Sequence, residues 1–368
     1  MAYPMHGQHK LSNEGYRTRD GHIIEWLGRS AAQSHRQVAV VSRPEPVVLA
    51  SRRRIRGRIA EGSHPIQTFT WRVPSLDAKH WWVRSAGAYP KVALGQRTPA
   101  VIWNPLAASA PVERNPFKTD RPVVLDLLDD WTIHHGFVSI RSEIEAAYRR
   151  AFESSSTVFA NSEGTLELAH RYGRTDAVLM PNGVDPERFQ QHSTASGPIT
   201  VGYVGKIGNR LDARLIENTC TRLPKIRFVF AGQILDAKGR FRRLLTSLPN
   251  VEWLGDVQYE DVPDLMATFD VGWVPHSVGV GEVGGDAIKI YEYRASGLPV
   301  LTTPIIGAGR VLKNGVFVLR AQDHPSWIAD TVGTLERVPR IVETIPPVLT
   351  WREKASTVAR ALGVEFTV

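Results

Sequence analysis

With 368 residues the chain exceeds what one ordinary hydrophobic core serves, and two domains of about 150–200 residues are expected. Its 42% hydrophobic and 22% charged content is that of a globular protein, and no stretch nears the roughly 18 consecutive apolar residues of a membrane span. The start lacks an apolar signal-peptide core, and the one cysteine, Cys220, excludes an intrachain disulfide, so a cytoplasmic location is expected.

The first half alternates apolar strands with polar helical stretches. Met1–Met5 offers at most a very short first strand, weakened by Pro4. A helix over Gly21–Gln33 precedes a strand at Val38–Ser42. Ser51–Arg58 follows as the densest basic run of a chain whose net charge is +8. Residues 1–190 hold 25 Lys and Arg against 19 Asp and Glu; residues 191–368 hold 20 against 18. Such a run suits anionic lipid headgroups, nucleic acid or an anionic glycan, or is a solvated loop. Lys79–Arg84, with Trp81 and Trp82, reads either as core or interdomain packing, the favoured reading, or as the lining of an acceptor site.

Further strands are expected at Ala100–Trp103, Val123–Leu128, Val158–Asn161 and Ala177–Met180, with a helix over Ser142–Glu153. This alternation predicts a parallel sheet covered by helices on both faces. Asp126, Asp129 and Asp130 close the 123–128 strand, where ligands of such sheets bind. Asp129 and Asp130 are therefore candidate bases or acceptor ligands, with a helix cap as the competing role, and His134 and His135 lie just beyond. In Met180–Phe189, Asn182-Gly183 supplies a turn and Asp185 caps a helix opened by Pro186. The polar stretch 190–197 reads as a hinge.

A second alternating set begins with the strand at Val201 and the glycine-rich loop carrying Gly205, Lys206, Gly208 and Arg210. Strands follow at Phe228–Gln233, Asn250–Gly255 and Phe269–Pro275. In the run 284–300, the pair Gly284-Gly285 opens a short helix that carries Lys289 and Glu292 and stops at Gly297, before the strand Val300–Thr302. Glycines ahead of a helix let backbone N–H groups reach an anion, aided by the helix dipole. Glu292, expected about two turns in, suits hydroxyls. Phosphate at one end and hydroxyls at the other describe a pocket for a nucleotide-sugar.

These segments together resemble the GT-B glycosyltransferases, especially the retaining family four and its teichuronic-acid-type relatives. The resemblance rests on 181–189, 203–208, 248–275, 289–300 and 350–355, in the family's order. It implies two doubly wound Rossmann-like domains facing each other across a cleft. The first (1–189) would bind the acceptor, 190–198 would link, 199–348 would bind the nucleotide-sugar, and 349–368 would return as a helix to the first domain. It further implies that Lys206 and Arg210 neutralise the departing diphosphate, in an order reversed from the family's Arg then Lys. Glu292 would bind ribose hydroxyls, Lys289 would reach phosphate, and Val257, Gln258 and Tyr259 would hold the base. The family's first acid of its spaced glutamate pair falls at Gly284, so Glu282, Asp286 or the amides of Gly284 and Gly285 would replace it. No metal and no cofactor are expected beyond a UDP- or GDP-linked co-substrate. The expected acceptor is a glycan or lipid-linked glycan at the inner face of the membrane. A hydroxylated DNA base, or a non-catalytic binding role, stands as the alternative.

Overall fold

The computed structural model describes residues 1–71, 77–91, 98–118, 120–279, 282, 284–311, 315–332 and 335–365. The chain divides into two compact units. The first comprises 1–182, the 284–286 stretch and the chain from Trp351 onward; the second comprises Gly183–Glu282 and Ala287–Thr350. The division thus falls at Asn182, ahead of the expected hinge. The 190–198 stretch lies within the second unit, where Gln191 exchanges hydrogen bonds with the Glu343 backbone and Thr194 N–H donates to the Ala267 carbonyl at 2.9 Å.

The first unit is built on a seven-stranded parallel sheet in the spatial order Ser63–Ile66, Val38–Val41, Ala2–Tyr3, Ala100–Ile102, Val123–Leu127, Thr157–Ala160 and Val178–Leu179. The first strand is two residues long, yet it pairs on both sides at the centre of the sheet. Val123–Leu127 is buried at every position, as a strand covered on both faces must be. Ser63–Ile66, polar and containing Pro65, had no strand signal; it is tolerated because it forms the sheet's edge. The helix Arg19–Gln33 turns a continuous buried stripe to the sheet, and Trp351–Ala361 packs beside it, with Trp351 stacked on His22 at 4.7 Å between ring centres.

The second unit holds six parallel strands in the order Val251–Gly255, Arg227–Ala231, Thr200–Val204, Val271–Val274, Val300–Thr302 and Val316–Val318. In each sheet the strand order reverses beside the first strand, and the loops at that switch point are where a doubly wound sheet receives ligands. The helix Ile288–Ala295 precedes Val300–Thr302. It ends in a Schellman turn: Leu298 N–H donates to Tyr293 O and Gly297 N–H to Arg294 O, both at 2.9 Å. Gly297 has φ +68°, a conformation a Cβ would strain.

Candidate functional site

The second unit carries its candidate residues on the loops beyond the carboxyl ends of its strands and on the helix Ile288–Ala295. The loop after Thr200–Val204 leaves the sheet through Gly205, at φ +143°. A Cβ at Gly205 would stand 2.9 Å from Lys289 Cε, so only glycine lets that lysine approach. Tyr203 Oη donates to the Lys206 carbonyl at 2.8 Å, fixing the loop, while the Lys206 side chain is half-buried. Gly208 leaves room for Asp236, whose carboxylate accepts from Asn209 N–H at 2.5 Å. Gly208 thus shapes the loop through Asp236.

Lys289 lies in the first turn of its helix, with its ammonium 5.3 Å from the centre of the Tyr203 ring. Burial lowers its pKa to about 8, and the positive charge of Arg210 adds to the shift, against the pull of Glu292. Arg210 is held on the same side of the sheet: its carbonyl accepts from Ser277 N–H at 2.8 Å, and Leu211 bridges His276. Glu292 is 6% exposed, and burial raises its pKa. Its Oε1 accepts the Tyr259 hydroxyl at 2.9 Å. Arg188 lies over the Tyr259 ring at 5.6 Å and donates from Nε to Asp185 at 3.0 Å. The 181–189 motif therefore contributes Asp185 and Arg188 to the support of Glu292. Asp185 is the residue before the turn of 3₁₀ helix Pro186–Arg188, but makes no side-chain cap bond; its carboxylate serves Arg188 instead.

Two sequence expectations about this helix need correction. Gly284 and Gly285 do not open it: the residue before its first turn is Ala287, and 284–286 pack within the first unit. Glu292 stands at the fifth helical residue, little more than one turn from the start. Val257 and Gln258 follow the strand Val251–Gly255; Val257 is partly buried, and Gln258 is exposed ahead of the short helix Tyr259–Asp261.

The sequence reading missed His276. It follows Val271–Val274 directly after Pro275, is 8% exposed, and its Nε2 has no hydrogen-bond partner among the described residues. Burial, then Lys289 and Arg210, push its pKa well below the ordinary value, so the imidazole is neutral. Its place at the end of a switch-point strand was the available signal.

In the first unit the acids are engaged. Asp126 is fully buried, takes Arg19 side-on at 2.9–3.1 Å and accepts Trp103 Nε1–H at 2.6 Å. Asp130 accepts from Thr132 N–H at 2.9 Å and Thr132 Oγ1–H at 2.6 Å, and pairs with Arg171. That is the capping role that competed with the reading of Asp130 as base or acceptor ligand, and both of its oxygens have partners. Asp129 lies against Gly285, where a Cβ would collide with Oδ1. Ser162 donates to the Gly284 carbonyl, and Asp286 Oδ2 accepts from Asn182 N–H at 2.9 Å. Gly284, Gly285 and Asp286 are thereby tied to Asp129, Ser162 and Asn182. His134 Nδ1 accepts from Gly136 N–H at 2.9 Å, and its ring stacks on His135. Among the described residues, no group of three or more His, Cys, Asp or Glu is placed to hold a metal ion, and no helix is long and apolar enough to cross a membrane.

Residues 198–337 match the family described as glycosyl transferases group 1. A protein of Bacillus subtilis (strain 168) named for teichuronic acid biosynthesis as a glycosyltransferase, TuaH, is 25% identical over 210 residues, covering 54% of this chain and 52% of its own. The chain thus spans about half the length of that curated relative. Among solved structures, Anabaena HepE in complex with UDP and glucose superposes with a TM-score of 0.60 at 16% identity, over 98% of this chain and 96% of that one. Sucrose-phosphate synthase from Thermosynechococcus elongatus gives a TM-score of 0.66 at 14% identity, over 98% and 95%. These likenesses show the fold.

Proposed function

We propose that the chain, which has the GT-B fold, is a glycosyltransferase of the group 1, family-four-like type and moves a sugar from a nucleotide-sugar to an acceptor hydroxyl. The observation that carries this reading is the second unit's cluster of Lys289, Arg210 and Glu292 at the switch point of a doubly wound sheet. A half-buried ammonium whose pKa is depressed to about 8, next to a second cation, gains most from an anionic ligand.

In this reading the diphosphate lies against Lys206, Arg210 and Lys289, with Gly205 and Gly208 shaping the loop that carries the first two. Glu292, oriented by the Tyr259 hydroxyl, accepts from the ribose hydroxyls, and Val257 and Gln258 border the base. As the bond from the anomeric carbon to the phosphate oxygen breaks, the three cations hold the charge that collects on the leaving group. The acceptor oxygen bonds to the anomeric carbon, and its proton passes to a donor phosphate oxygen, which retains configuration without a protein base. Capture of both Asp130 oxygens by Thr132 and Arg171 supports that route. Asp129 then positions the acceptor or the Gly285 backbone. A UDP-linked donor is favoured over GDP because the HepE structure holds UDP and glucose.

The acceptor is a glycan or lipid-linked glycan at a membrane surface. Supporting a surface-bound acceptor, Arg52, Arg54 and Arg56 are exposed, as are Val48 (70%) and Trp71 (85%), a mixture suited to anionic headgroups. Sedimentation with anionic vesicles tests this contact. Binding to DNA of varied sequence with a steep salt dependence would favour a nucleic-acid acceptor instead. Incubation with radiolabelled UDP-sugars and a membrane extract tests the transferase reading. Label transfer unaffected by EDTA is expected, and absence of transfer with every donor would leave a binding role.

A further inference from the structure

The first unit has its own cluster of cations, one on the loop after the strand Val38–Val41 and one on the helix Ala78–Ser85, and none of the donor chemistry uses it. Arg43 lies two residues past the strand Val38–Val41 and is 7% exposed. Its Nη2 donates to Glu45 at 3.1 Å, but Nε and Nη1 are buried with no partner among the described residues. The guanidinium lies 3.9 Å over the Trp82 ring. Lys79, one turn earlier on the helix Ala78–Ser85, places its ammonium 4.9 Å from the same ring and 4.1 Å from that of Phe137.

The local charge does not balance. Glu45 faces Arg43 at 3.1 Å and also Arg53 at 3.7 Å, and Arg53 Nε too is a buried donor without a hydrogen bond. His9 stands beside Arg53, with its pKa lowered by burial to about 4, and so adds no positive charge at neutral pH. Asp77 acts on Lys79 from the start of the helix, where its carboxylate is taken by Lys79 N–H at 2.7 Å, Ser139 Oγ–H at 2.5 Å and His80 at 3.3 Å. Burial and the Arg43 charge both lower the pKa of Lys79. The Trp81 indole, by contrast, is satisfied: Nε1–H donates to the Pro44 carbonyl at 3.1 Å. Trp81 packs, while Trp82 is the ring the two cations share.

We infer that Arg43, Lys79 and Trp82 form an anion subsite of the acceptor, taking a carboxylate or phosphate group carried by the acceptor sugar. Planar guanidinium donors suit both anions, and a lysine beside them adds charge without demanding geometry. Aromatic faces keep the two cations in place and exclude water from them. Only the naming of the anion as part of the acceptor rests on the transferase reading; the anion site itself does not.

The test is calorimetric titration of the full chain with glucuronate, glucose 1-phosphate and glucose, with UDP present to fill the second unit. UDP binding is measured first, by itself. At least one anionic sugar is expected to bind about ten-fold more tightly than glucose, and Lys79→Gln to lose about ten-fold in that affinity, with UDP affinity unchanged. Arg43→Lys, which keeps the charge but not the planar donors, should lose affinity as well. The better of the two anionic probes identifies carboxylate or phosphate as the group read. Equal affinity for glucose and both anionic sugars, affinity unchanged in both variants, or no saturation by either anion overturns the inference. If UDP binds and the anions fail, this inference alone is lost; if UDP fails and an anion binds, the donor reading is the one lost.

Discussion

Asp126, near the end of a strand, and Lys289, in the first turn of a helix, are both charged groups taken largely out of water, and they are treated in opposite ways. Asp126 is enclosed by Arg19 and the Trp103 indole, and Arg19 is held further by Asn182. Lys289 sets its ammonium against the face of Tyr203 and is pushed toward its neutral form by burial and Arg210, against the pull of Glu292. A charge that is fully paired inside the fold organises the fold. A charge that the fold leaves short of a counter-ion is disposed to bind one. On that contrast we propose that Asp126 serves the fold and that the second unit's cations serve binding.

Substitutions on the two sides should therefore separate stability from binding. The largest effect is expected at Asp126→Ala, which strands the buried Arg19 charge and should cost about 3–5 kcal/mol of stability. Urea denaturation followed by fluorescence checks this, and a small loss would remove the structural half of the contrast. Lys289→Met should do the reverse. The unliganded protein should be as stable as wild type or more so, while affinity for UDP falls by about 1.5–3 kcal/mol in calorimetry. Glu292→Ala should weaken binding of a nucleotide-sugar by about 1–3 kcal/mol with the fold retained, through loss of a buried acceptor for ribose hydroxyls. Unchanged affinity would dismiss that role.

The pH dependence sharpens the same contrast. Lys289 has a folded-state pKa of about 8, below its ordinary 10.5. Between those values the unfolded chain binds the extra proton, so this group makes stability rise with pH across that window. UDP affinity should move the other way, falling as pH rises through about 8, because the ammonium is the form that binds phosphate. Titrations at several pH values in Lys289→Met should lose that dependence. The smallest effect is expected at Asp129→Asn: a retaining transfer needs no base there, so turnover should stay near wild type. A loss of several orders of magnitude would restore Asp129 as a base.

Much of the architecture was legible from pattern. Val300–Thr302 is the strand its apolar run announces, and the helix before it ends at Gly297 in the turn that glycine signals. That Lys289 and Glu292 share one helix was legible from the run 284–300. What sequence did not carry was pairing over distance. Nothing local joins Tyr259 to Glu292, 33 residues apart, or Arg188 to Tyr259. The glycines of 284–285 suggested a helix start because glycine marks both anion cradles and tight packing. Here the pair packs against Asp129 and Ser162, and the helix starts after Ala287. His276 and Arg43 were silent for a related reason: a single residue past a strand has no periodicity to betray it.

The central claim is that the second unit holds a nucleoside diphosphate on Lys206, Arg210 and Lys289. The most direct measurement is calorimetric titration of UDP and GDP into the full chain at pH 7 and pH 9. Saturable one-site binding of at least one nucleotide at pH 7, weaker at pH 9, is predicted. No saturable binding by either nucleotide, or an affinity indifferent to pH across that range, would contradict it.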